Sequence, residues 1–399
     1  MLGRNFGEIR WLVAPGMAMI ALTYGLARFA YGLVLPELRE AFDLPSSVLG
    51  VIGSGSYVGY CVAAIFSLVY TSRTGPRFMA VAAGAVAVAG LAIVATAPSA
   101  WVLAAGVILA GSSTGLSSPP MVEAVASSIR GGLQDRANTL INCGTSVGIA
   151  ASGTAALVLM GQWRVMLAAF AAVGVAVLLW NAAFVPRKPA REIEGDAAYR
   201  GTETPRLTFS YLMGSRSAPL FAAAILLGVS SAAYWTFSRD LVSSLGGLSE
   251  SGSTLFWIVI GVSGLLGGAA GDMVRRLGLK MALRISLLSM AASIALLATA
   301  PGVTAFTYLS AATFGPAYIM LTGIILVWSV AVFHDRPSAG TGVGFLLIAI
   351  GQIVGSTVMG TIAGATSLTT AFYASAAISL AAAFLKPHPK DTITGGDHP

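Results

Sequence analysis

Apolar runs nearly free of charge alternate along the chain with short polar breaks. A run of about 20 apolar residues is long enough to cross a bilayer as a helix. The pattern predicts twelve spans: 11–36, 46–70, 77–97, 101–127, 137–160, 163–185, 218–245, 252–274, 279–300, 303–333, 339–364 and 367–386. Residues 186–217 form the one long charged stretch and divide the spans six and six. The expected fold class is therefore an all-α polytopic membrane protein. Its expected parts are a six-helix bundle over 1–185, a linker over 186–217, a second bundle over 218–386 and a tail over 387–399.

Composition and charge sharpen this picture. Hydrophobic residues make up 56% of the 399 and charged residues only 10%, against about 25% charged in soluble domains. The net charge of +7 could suggest a nucleic-acid partner, but its distribution points elsewhere. Of the 23 Lys and Arg, 19 fall in the termini, the linker and the loops on one side of the expected membrane. Basic loops stay on the cytoplasmic side, so both termini and the linker are expected there, in a bacterial inner membrane, with no nucleic-acid partner. Cys61 and Cys143 both lie in apolar spans, which gives no disulfide framework. The first apolar run is too long for a cleaved secretory signal and reads as a retained span.

An internal repeat supports two related halves. Asp135-Arg136 follows the fourth span and Asp335-Arg336 follows the tenth, 200 residues later. Leu35–Ser47 aligns with Arg239–Ser251 at an offset of 204. Parallel halves of this kind place a substrate site near the midplane between them. Glycine has a period of three: spans 2, 5, 8 and 11 contain 20, and spans 3, 6, 9 and 12 contain three. Small residues let helices approach closely in lipid. The first set is thus expected to pack tightly and the second to face lipid. Spans 1, 4, 7 and 10 carry Arg28, Glu123, Arg239, Asp240 and the prolines Pro119, Pro120 and Pro316. They are the expected lining of a central path.

Twelve spans in six-plus-six halves with a central loop resemble the major facilitator superfamily, over essentially the whole chain. The resemblance implies a cavity lined by helices 1, 4, 7 and 10. The first-helix segment Gly25-Leu26-Ala27-Arg28-Phe29-Ala30-Tyr31 through Leu35-Pro36 looks like the signature of the YbfB/YjiJ branch. Two motifs depart from the superfamily. In its loop between helices two and three, Ser72 stands where Asp belongs, beside Arg73 and Arg77. The second-half counterpart keeps Asp272, Arg275 and Arg276, so a cytoplasmic latch is expected there. The antiporter motif of helix five retains Gly144, Gly148 and Gly153, but Thr154 replaces its closing proline.

Arg28 lies about 17 residues into span one. A charge at that depth is costly and faces a cavity or a partner. Helical spacing puts Tyr24, Arg28 and Tyr31 on one face. A guanidinium fork suits a carboxylate or phosphate, so Arg28 is either an anion anchor or a structural ion-pair residue. The offset of 204 maps the face Tyr24, Arg28, Tyr31 and Leu35 onto Gly228, Ala232, Trp235 and Arg239. Arg239 then either faces the path or snorkels to the interface. Asp240 points away from Arg239 and could reach a first-half residue such as Arg28. Glu123 is a proton site or a salt-bridge partner of Arg130. Asn142, Tyr318 and Gln352 are polar groups for a substrate or for interhelical bonds. Trp235, Tyr234, Phe237 and Phe314 make an aromatic wall or simple packing. No acid sits at mid-depth, which argues against proton coupling.

His334, His388 and His398 lie in a loop or the tail with no metal spacing, and no phosphate-binding Gly-Lys motif occurs. No enzyme, cofactor or metal is implied. The expected function is alternating-access transport of a small organic solute, with a lean toward an anionic group, by a monomer in the lipid bilayer. The alternatives are efflux of apolar or aromatic compounds and, as a different class, a membrane sensor or assembly subunit. Reporter fusions test the orientation: green fluorescent protein at residue 200 or the C-terminus is expected to fluoresce, and alkaline phosphatase at Ser99 to be active.

Overall fold

The computed structural model describes residues 2–129, 131–187, 217–333 and 337–387, and all regular structure among them is helical. The spans are α1 (Arg10–Leu33), α2 (Ser46–Thr71), α3 (Pro76–Thr96), α4 (Ala100–Ser128), α5 (Arg136–Val158) and α6 (Trp163–Phe184) in the first half. The second half holds α7 (Ser217–Ser244), α8 (Glu250–Leu277), α9 (Leu279–Thr299), α10 (Thr304–Val332), α11 (Gly340–Ala365) and α12 (Leu368–Ala382). Eleven are long and apolar enough to cross a membrane; α12, at 15 residues, is shorter. Its helix stops ahead of Lys386-Pro387, where the proline disfavours helical geometry in the residue before it.

The twelve helices form two pseudo-symmetric bundles of six. The glycine-poor helices α3, α6, α9 and α12 pack within their own halves. The glycine-rich helices make the junctions. Across the halves, α2 packs on α11 and α5 on α8. A Cβ on Gly50 would meet the Ser356 carbonyl of α11, and one on Gly261 of α8 would meet the Ala150 backbone of α5. Within the halves, glycines bring α1 against α5 and α7 against α11. A Cβ on Gly25 would fall on the Gly148 backbone, and one on Gly228 on the Ile348 carbonyl. Association in lipid rests on such close backbone contact, because lipid tails are as apolar as the helices themselves.

Helices α1 and α7 lie deepest, each with 72% of its central window buried. Gly32 lets α1 touch α7 directly, for a Cβ there would strike the Trp235 carbonyl. After α1 a short helix, Leu35–Phe42, runs beside the end of α7 away from the linker. It stops at Asp43, which takes a left-handed conformation with φ 49°. In the second half, Tyr234 stacks on Phe314 at 3.7 Å and bonds Ser310 at 2.8 Å, anchoring α7 to α10.

Overpacking a tight helix contact costs about 1–3 kcal/mol or more. Gly25→Val is therefore expected to lower the melting temperature of the purified protein markedly. Gly271→Ala, whose Cβ would meet only the flexible Arg275 side chain at 3.5 Å, should leave it unchanged.

Candidate functional site

Helix α1 does not keep α winding through its middle. Residues Ala21–Phe29 form a nine-residue π segment, and Arg28 lies on it. Such wide turns are rare overall and frequent at functional sites. Tyr24 stays beside Arg28, its ring centre 5.7 Å from the guanidinium carbon. Tyr31, on the α-helical turn that follows, donates its hydroxyl to the Leu49 carbonyl of α2 at 2.7 Å. Arg28 and Tyr31 thus both lie against α2, Arg28 at Tyr57 and Tyr60 and Tyr31 at Leu49 and Gly53.

Arg28 is 7% exposed. Its Nη2 donates to Gln352 Oε1 of α11 at 2.8 Å, across the two halves. Gln352 Nε2 in turn donates to the Tyr318 hydroxyl of α10 at 3.2 Å. The guanidinium lies over the rings of Tyr57 and Tyr60 of α2, at 4.6 and 4.8 Å. These cation–π contacts offset part of its lost hydration. Arg28 has no ion-pair partner among the described residues, and its buried Nε has no hydrogen-bond partner. Beside it stands an aromatic wall shared by both halves. Trp235 of α7 stacks on Phe29 at 4.2 Å and meets Tyr318 and Phe314 edge-on at 5.0 and 5.3 Å. Trp235 Nε1 is buried and unpaired.

The halves are joined at the end away from Arg187 and Ser217. Arg239 does not snorkel: it is 3% exposed and holds Glu37 of the short helix at 2.6 Å, together with the Leu33 carbonyl. Its neighbour Asp240, 2% exposed, pairs with Arg39 of the same short helix. The first-half partner of Asp240 is thus Arg39, because Arg28 sits deeper, on the π segment. Two adjacent residues of α7 grip two residues of opposite order on the short helix. Farther round the same end, the Gly161 amide donates to Glu250 Oε1 at 2.6 Å. Trp257 Nε1 donates to Ser152 at 3.3 Å, and Ser356 to the Gly50 carbonyl at 2.9 Å. All of these joints lie at the level of Arg28 or beyond it, toward the outer end.

Toward the linker end the α5–α8 contact continues, with Gly268 facing the Cys143 and Thr139 side chains. On α5, Ile141, Gly144 and Gly148 face α1, while Cys143, Ser146 and Ala150 face α8. Asn142 lies on the inward arc between them and is exposed, so it faces the space between the halves, away from the Arg28 cluster. The structure therefore brings together Tyr24, Arg28, Trp235, Tyr318 and Gln352. Arg239 and Asp240 stand at the outer seal, Tyr31 is held on the Leu49 carbonyl of α2, and Asn142 stands apart.

The remaining candidates lie near the linker end. Asp272 and Arg275 pair with each other within one helix and are exposed, so they cross no boundary between halves. Arg77 braces the end of α6 through the Val185 and Ala183 carbonyls. Arg73 is exposed beside Tyr70. Glu123 is half-buried on α4; its suggested partner Arg130 lies outside the described residues, as do Asp335 and Arg336. Asp135 and Arg136 belong to the helix Gly131–Asn142 at the start of α5.

Sequence reading missed Tyr57, Tyr60 and Phe29 around Arg28. It also missed Glu37 and Arg39 as partners of α7. A signal for the second pair was present: Glu37-x-Arg39 and Arg239-Asp240 sit at matching depths of the two aligned halves with complementary charge.

The geometry defines a two-bundle membrane transporter fold with a buried polar centre. The chain belongs to the Major Facilitator Superfamily, whose family model matches residues 17–349. No curated protein matches the sequence. Among solved structures, the nucleoside transporter NupG superposes with a TM-score of 0.71 at 16% identity, over 94% of this chain and 97% of that one. An inward-facing, occupied bacterial homolog of the human lysosomal transporter Spinster superposes with a TM-score of 0.73 at 15% identity, over 97% and 99%.

The outer ion pairs respond unequally to mutation. Arg39 is 33% exposed and Asp240 only 3% at the side chain. Breaking a buried pair from the exposed side strands the buried charge, at a cost of up to about 3 kcal/mol. Arg39→Gln should therefore loosen the outer end far more than Asp240→Asn, read as a wider spin-label distance across the mouth.

Proposed function

We propose that this chain is a secondary active transporter of a small organic solute with an anionic group. Its two six-helix bundles, 1–185 and 218–386, rock about the Arg28 site while the 186–217 segment tethers them on the cytoplasmic side. One observation carries the reading: a guanidinium 7% exposed, between the halves, with no carboxylate partner among the described residues and a buried unpaired Nε. A buried charge without a counter-charge is costly, and an anionic solute supplies the missing partner. Gln352 holds the guanidinium when no solute does.

In this reading Tyr24, Trp235, Tyr318 and Gln352 share the solute site. The quartet of Glu37, Arg39, Arg239 and Asp240 is the outer gate. Solute leaves or enters at the linker end in the present conformation, past Asn142 and Glu123. Asp272, Arg275, Arg73, Arg77 and Arg136 serve the opposite gate at the linker end, and the sequence repeat assigns Asp135, Asp335 and Arg336 to the same gate. The first-helix signature supports membership of the YbfB/YjiJ branch. The basic loops support a bacterial inner-membrane location with both termini cytoplasmic, and nothing in the arrangement requires more than a monomer.

The aromatic wall favours a second reading, efflux of apolar or aromatic compounds with Arg28 structural. That the NupG neighbour is a nucleoside transporter is compatible with a ring-bearing solute in either reading. Metabolite profiling of cells with and without the working protein identifies the solute, and proteoliposome uptake then separates the readings. A charged hydrogen bond is worth about 2 kcal/mol, so Arg28→Gln should cut uptake at low solute roughly thirtyfold, with Arg28→Lys impaired as well. Full activity in both, with loss in Trp235→Ala, would establish the second reading instead.

A further inference from the structure

Two of the buried atoms left without a partner belong to the side chains of the site itself. Arg28 Nε and Trp235 Nε1 are both buried without a partner, and both can only donate. The nearby hydroxyls are engaged: Tyr24 with Ser118 at 2.8 Å, Tyr318 with Gln352 at 3.2 Å. Among the described residues no acid pairs at this level, and the buried carboxylate of Asp240 is committed to Arg39 at the outer end. The faces of Tyr57 and Tyr60, which could hold a cation, are occupied by Arg28 at 4.6 and 4.8 Å. The site therefore asks for acceptors and, among the described residues, offers an ammonium group no carboxylate.

Shape adds a second constraint. The Phe29–Trp235 stack, at 4.2 Å and 30°, takes one ring from each half. It parts when the halves separate, leaving a slot between two flat faces. Phe314 and Tyr318 close the slot edge-on against Trp235. The Arg28 guanidinium carbon is 5.5 Å from the Phe29 ring centre, so an acid group held by Arg28 is attached to a ring in the slot directly or through a very short arm.

Resting on the reading of Arg28 as an anion anchor, we infer that the solute is a planar cyclic carboxylate lacking an ammonium group. Its ring lies between Phe29 and Trp235. Its carboxylate takes the guanidinium in place of the Gln352 amide oxygen. A ring oxygen or heteroatom accepts from Trp235 Nε1. This class excludes free amino acids, amines and long-chain acids.

The test is ligand binding by the purified full-length protein in nanodiscs, followed by calorimetry and thermal shift. The probes are phenylacetate, para-hydroxyphenylacetate, phenylacetamide, hexanoate and phenylalanine. Phenylacetate is expected to bind saturably and at least about tenfold more tightly than the last three. Arg28→Gln should abolish its binding, and Arg28→Lys should weaken it. Trp235→Phe keeps a ring in the wall and removes the donor, so it should retain phenylacetate and erase the advantage of the para-hydroxyl compound. Equal binding of phenylalanine or phenylacetamide, or no saturable binding of either ring acid, overturns the inference. If hexanoate matches phenylacetate and both depend on Arg28, the anion anchor stands and the ring assignment falls. If acid binding is indifferent to Arg28, both fall together.

Discussion

Lipid gives two helices no hydrophobic reason to meet, and that constraint shapes every contact in this protein. Helices stay together only where their backbones come close or where a polar group finds a partner on another helix. The chain uses the two means in different places. Glycines of α2, α5, α8 and α11 supply close approach along the length of the bundles. Polar pairing between the halves is sparse, and the joints described above lie at the level of Arg28 or outside it. A fold held in this way can be firm within each half and yet part along one seam.

Charge follows the same logic. Three charged side chains are buried among the described residues: Arg28, Arg239 and Asp240. Two have carboxylate or guanidinium partners on the short helix Leu35–Phe42, where half-exposed groups share the burden with water. Arg28 alone is deep and lacks such a partner. It is cushioned by tyrosine rings and one amide, which soften its desolvation without neutralising it. The contrast between paired charges at the mouth and an unpaired one at the centre separates closure from recognition along a single path.

Much of this was legible in the chain itself. Spans, bundles and the central position of α1 and α7 follow from run lengths, the repeat and the glycine period, because a bilayer leaves helices few other arrangements. Arg28 stood out since guanidinium is expensive anywhere in such a run. What surrounds it was not legible. Tyr57 and Tyr60 lie on a helix whose sequence reads as glycine packing, and only the third dimension turns their faces to the cation. The winding of Ala21–Phe29 was not legible either, for no local residue choice announces a π segment. Arg239 seemed free to snorkel because Glu37 and Arg39 lie in what reads as a loop; it is a short helix that carries them back over α7.

The wide winding of Ala21–Phe29 has a consequence for how α1 can behave. A π turn holds nearly one residue more than an α turn, and one residue of an α-helix corresponds to roughly 100° of rotation. The segment is thus a store of slack in the middle of a membrane helix. Letting it out would swivel Arg28 and everything beyond it, Glu37 and Arg39 included, against the fixed inner length of α1. A single change of pitch would then re-aim the central cation and unhook the outer clasp in one stroke, with no need for a separate messenger between them.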